Sequence, residues 1–161
     1  MIRNLTLVHV LLALASAACI YLVVRELRRP YVSQWRLFAP GAAAAFVAAG
    51  LFLIQTAAGQ PLWAFIVSAI IGLVIGGVRG MMIGLQHDLY RPQLMISHGA
   101  KLVLLYVALG VGLCASLEIA GAFASPAIEK VRLWAALSAA VCAVAMLARA
   151  LVLTIRLHHD V

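Results

Sequence analysis

Polar residues are spaced along this chain as separators between long apolar runs. The runs span Leu5–Val24, Leu37–Ala58, Leu62–Ile83, Leu102–Ala122 and Leu133–Leu153. At 1.5 Å per residue each is long enough, as a helix, to cross about 30 Å of hydrocarbon. None alternates polar and apolar positions as a barrel strand does, and backbone amides in lipid must bond within their own segment. The pattern therefore predicts an all-α, polytopic transmembrane helical bundle of about five spans in a single domain covering 1–161.

Composition agrees. The chain is 66% hydrophobic and 11% charged over 161 residues, far from the roughly 25% charged residues of a soluble domain. Such a surface would aggregate in water unless lipid covered it.

The net charge of +7 would suit nucleic acid if the basic residues shared one face with base-reading side chains. They fall between spans instead. Arg25, Arg28, Arg29, Arg36, Arg79, Arg91, Lys101, Arg149 and Arg156 gather at one set of ends, against Arg3, Lys130 and Arg132 at the other. The positive-inside rule then places the amino terminus outside and the carboxyl terminus in the cytoplasm, with no nucleic-acid partner. Trp63 and Trp134 would mark the outer interface, and Tyr31, Trp35 and Tyr90 the inner one. Arg3 and Ala15-Ser16-Ala17 also resemble a secretory leader, but the apolar run continues to Val24 and a basic cluster, so the segment reads as a retained span.

The most regular local pattern lies in the third span. Ala64, Ser68, Gly72, Gly76, Gly80 and Gly84 put a small residue at every fourth position. On a helix this is a ridge that lets a second backbone approach, the small-xxx-small device of association in lipid. The expected partner is another helix of the same chain, with the smooth faces His9-Ala13-Ala17 and Gly41-Ala45-Ala49 as candidates. A second subunit is the alternative.

Polar residues inside spans mark sites by default. His9, Gln55, Thr56 and Glu118 all lie within about two turns of the outer surface, so they could form one polar layer or each reach for headgroups. Arg79, Arg91, Lys101, Arg149 and Arg156 form an inner basic rim, suited to anionic lipid headgroups or an anionic ligand, or simply to snorkelling. Asp88 and Glu26 are the counter-charges there. The segment Gly84–Ala100, with Pro92 inside it, reads as a short hairpin or an interfacial helix.

No catalytic residues, metal site or cofactor are expected. The histidines do not match in depth for haem ligation, no H-E-x-x-H, G-x-S-x-G or P-loop pattern occurs, and Cys19, Cys114 and Cys142 sit in apolar runs as packing residues.

Arg28-Arg29-Pro30, then Pro40 and Gly50 in the second span, then Ile71-Gly72 through Arg79-Gly80 give a layout that resembles the CcdC-like family of small bacterial membrane proteins. The resemblance covers about Arg28 to Gly110. It implies a multi-pass protein of the bacterial inner membrane and no particular activity. That family is named for an association with cytochrome c biogenesis, yet this chain has no C-x-x-C pair for thiol transfer. The leading expectation is a non-enzymatic scaffold or accessory subunit, associating with itself or a larger membrane complex. The alternatives are a small transporter or ion-coupled carrier, and a redox- or pigment-associated subunit.

Overall fold

A computed structural model describes residues 7–29, 34–87, 94–123 and 129–159. Five helices account for nearly all of it: α1 Leu7–Leu27, α2 Gln34–Ala57, α3 Leu62–Met82, α4 His98–Gly121 and α5 Glu129–His159. Every one is long and apolar enough to cross a membrane. The chain is thus an all-α, multi-pass membrane protein. Helix is the form that satisfies every backbone amide within its own segment when no water is at hand.

Helix boundaries follow local chemistry more than hydropathy. Helix α5 starts four residues before the apolar run and continues to His159, because Glu129, Lys130 and Arg132 continue the helix without leaving its hydrogen-bond ladder. Pro40 lies inside α2, where it lacks the N–H that would serve the carbonyl one turn earlier. The carbonyl of Pro40 itself receives the thiol of Cys19 from α1 at 3.4 Å.

The α2–α3 turn is a Schellman closure. Gln60 N–H bonds the Gln55 carbonyl at 3.1 Å, and Gly59 N–H bonds Thr56 at 3.0 Å. Between them Gly59 holds φ at 81°, a left-handed conformation that glycine adopts without Cβ strain.

Helices α1, α2, α5 and α4 form a ring in which each packs on its neighbours, and α3 lies outside it against α5. Around the ring, neighbours run antiparallel. The shared core is apolar, built on Leu12, Cys19, Val47, Leu51, Val111 and Met146 with the small residues Ala44, Ala108, Ala136 and Ala139 between them. Small side chains let the helices approach, and dispersion replaces the hydrophobic drive that lipid removes. At the end where α5 finishes, a second cluster joins Leu37, Ile83, Ile96, Ala150, Leu153 and Leu157.

Helices α3 and α5 run parallel. Successive turns of α3 meet successive turns of α5, with Gly72 on Val141, Gly76 on Ala145 and Gly80 on Val152. Ser68, Gly72, Gly76 and Gly80 are buried, Ala64 is partly buried, and Gly84 is exposed beyond the helix. The surface that receives this face is α5. Neither face named from the sequence receives it, for Ala13 and Ala17 are exposed and Gly41 packs on Leu147 of α5. A small residue, Ala145, stands at the crossing and lets the two backbones approach.

Between α3 and α4, Leu85–His87 (β1) pairs antiparallel with Leu94–Ile96 (β2). The open alternatives for Gly84–Ala100 resolve to strand pairing at its flanks. The tip, with Asp88 and Pro92, lies outside the described residues.

Candidate functional site

Two polar layers lie at opposite ends of the bundle. The first is built from the last turns of α2 and α4 and the first turn of α5. Because α2 and α4 run the same way and α5 the other, these turns meet at one end.

Glu118 is completely buried there. Its Oε1 accepts the Nε–H of Arg132 at 3.0 Å and is ion-paired with a terminal guanidinium nitrogen of the same residue. Its Oε2 accepts the side-chain amide of Gln55 at 3.2 Å. Both carboxylate oxygens are thereby occupied by donors from the two flanking helices.

The helix dipoles do not explain this pairing. A carboxylate in the last turn of α4 and a guanidinium in the first turn of α5 each sit at the helix end that disfavours their charge. Each charge is stabilised by the other. Gly121 makes room for the crossing, since a Cβ at that position would stand 2.5 Å from Cδ of Arg132. A second link at the same end joins Gln60 to Glu129 at 3.3 Å, tying the α2–α3 turn to the start of α5.

Of the four residues expected in this layer, Gln55 and Glu118 meet directly. Thr56 turns its hydroxyl back to the carbonyls of Phe52 and Leu53 on its own helix, the usual way a threonine satisfies itself in lipid. His9 is buried near the start of α1 at the same end.

Arg132 is the member that the sequence assigned to a loop. Taking α5 to begin at Leu133 left it outside the span, whereas a helix starting at Glu129 carries it into the bundle. The signal was available in Glu129-Lys130-Val131-Arg132, an acidic residue at a helix start followed by continuous helix formers.

At the opposite end the basic rim divides by role. Arg156 donates from one terminal nitrogen to the carbonyls of Gly80, Met81 and Ile83, at 3.1, 3.0 and 2.8 Å. It therefore caps the C-terminus of α3, where carbonyls lack intrahelical partners. Lys101 is buried, and its ammonium donates to the Arg29 carbonyl at the end of α1. Arg91 lies outside the described residues, as do Arg3, Tyr31 and Tyr90.

Among the described residues, Arg79 and Arg149 make no such backbone contact. Arg149 is only 6% exposed, and its Nε has no hydrogen-bond partner. Arg79, exposed on α3, lines with it a small cavity of about 60 Å³ between α3, α4 and α5. Arg79 also walls a larger cleft of about 640 Å³ between the end of α3 and the start of α4, which shares Ile75, Ala100 and Val103 with the small cavity. Glu26 is buried on α1 beside Arg25, Arg29 and Arg36.

Between the two layers the ring is filled by apolar side chains. Among the described residues no group of three or more His, Cys, Asp or Glu side chains gathers to hold a metal ion. Cys19, Cys114 and Cys142 are free thiols.

Compared with known proteins, the chain matches no family model, no curated protein and no solved structure.

Proposed function

We propose that this chain is a non-enzymatic helical scaffold or accessory subunit of the bacterial inner membrane, with its amino terminus outside and its carboxyl terminus in the cytoplasm. One observation carries the reading: the only fully buried charged side chain described, Glu118, has both oxygens taken up by Arg132 and Gln55. A carrier's intramembrane carboxylate needs an open face toward its ion and a polar route onward. Here the route is closed by Leu51, Val111, Ala115 and their neighbours.

The ion pair then acts as a fastener for α2, α4 and α5, and the glycine face of α3 as a small-xxx-small fastener to α5. Outside the ring, α3 keeps Trp63, Ile66, Ile70 and Leu73 exposed, a face for lipid or for a helix of another subunit. The orientation rests on the excess of Arg and Lys at the Arg149 end.

Reconstitution tests the reading against the carrier alternative. Proteoliposomes should pass protons and small cations no faster than protein-free vesicles. A flux above that background, abolished by Glu118→Gln, would overturn it.

A further inference from the structure

A guanidinium at 6% exposure with an unpartnered Nε is an expensive thing to hold within a helix bundle. Arg149 sits about 10 Å deeper than Arg156, seven residues earlier on the same helix. Arg79 lines the same cavity and repels it, and the nearby carboxylate of Glu26 attracts it. Two cations facing one cavity with one buried carboxylate near them leave a net positive pocket. Low dielectric makes that imbalance more severe than it would be in water.

The cavity has an opening of matching character. Arg79 is a wall both of that cavity and of the adjoining 640 Å³ cleft, whose other walls include Val74, Val78 and Met82 of α3 and Ala100 and Val103 of α4. Those α3 side chains are exposed. In a bilayer the cleft therefore opens sideways toward acyl chains, with Arg79 at its positive end in the last turn of α3. Its volume lies in the range of small-molecule pockets, enough for a headgroup and part of one chain.

We propose that this cleft binds one anionic diacyl phospholipid, its phosphate bridging Arg79 and Arg149 and one acyl chain lying along Val74, Val78 and Val103. The phosphate supplies acceptors for the unpartnered Arg149 and screens its repulsion with Arg79. Guanidinium and phosphate match in geometry as well as charge. The inference does not depend on the scaffold reading, since a carrier would need the same site satisfied.

Native mass spectrometry of the full chain in mild detergent tests it, with phosphatidylglycerol, phosphatidylcholine or inorganic phosphate added. One phosphatidylglycerol per chain should be retained, at least about tenfold more tightly than phosphatidylcholine, the effect of one charge-assisted contact. Arg79→Gln and Arg149→Gln should each weaken retention by about tenfold or more. Arg25→Gln, on α1 outside the cleft, should leave it unchanged.

Because Arg149→Gln disturbs a buried position, Gly99→Leu provides the decisive variant. Gly99 lines the cleft, and a Cβ there meets nothing within 4 Å. The leucine should therefore block the chain's path without lowering the melting temperature. Equal retention of phosphatidylcholine, or undiminished phosphatidylglycerol binding in both Arg79→Gln and Gly99→Leu, would overturn the proposal. So would stabilisation by inorganic phosphate with no lipid retained, which would make this a free-anion site.

Discussion

Gly76 lies so close to Ala145 that a Cβ on the glycine would stand 2.7 Å from the alanine Cα. The parallel contact of α3 with α5 therefore depends on the absence of a side chain at this position. Gly76→Leu should separate the two helices or unseat neighbouring turns, with a loss at the upper end of about 1–3 kcal/mol for overpacking. Gly77→Ala, where a Cβ meets nothing, should hold or slightly raise thermal stability in detergent. Equal melting temperatures for the two variants would contradict the contact.

The Glu118–Arg132 pair makes a sharper claim, because removing Arg132 leaves the carboxylate of Glu118 buried without its counter-charge, whereas Arg132 itself is 27% exposed. Arg132→Gln alone should cost about 3–5 kcal/mol, and Glu118→Gln less, because the guanidinium it leaves is partly exposed. The double substitution should cost clearly less than the sum, since no lone charge remains. A double-mutant cycle on unfolding in detergent measures this, and strict additivity would show that the two side chains do not act together.

Gly121 extends that claim to the backbone. Adding a side chain drives it into the aliphatic part of Arg132, so Gly121→Val should reproduce much of the Arg132→Gln loss. Combined with Arg132→Gln it should add little. Full additivity in that combination would mean the glycine matters for some other contact.

Arg156 holds three carbonyls at the end of α3. In Arg156→Gln those groups lose their partner where the helix meets β1, and hydrogen exchange should rise at Gly80–Gly84 well before the rest of α3. A stability loss of about 1.5–3 kcal/mol is expected from hydrogen bonds to a charged group. Unchanged exchange in that segment would rule out the cap.

How much of this was legible beforehand divides along physical lines. Solvent and span number followed from apolar run length, because hydrocarbon thickness imposes a minimum that short core helices do not meet. The approach of Gly72, Gly76 and Gly80 to a neighbour was visible as a four-residue period. Which helix received it was not, since one-dimensional spacing says nothing about which neighbour lies parallel and adjacent. Gln55 and Glu118 were placed at one depth by counting residues. Arg132 was missed because hydropathy ends a span at the first charge, while a helix continues through a charge that finds a partner. The division of the basic rim into Arg156 and Lys101 on carbonyls, and Arg79 and Arg149 around a cavity, depends on side-chain direction in three dimensions, which spacing alone does not give.

If the bundle is a scaffold, it has something to hold. Cross-linking in native membranes, followed by extraction in mild detergent and mass spectrometry of the captured species, asks this directly. The chain should be recovered joined to further copies of itself or to a larger membrane complex. Recovery as a solitary monomer, with no protein captured beside it, would contradict the central claim.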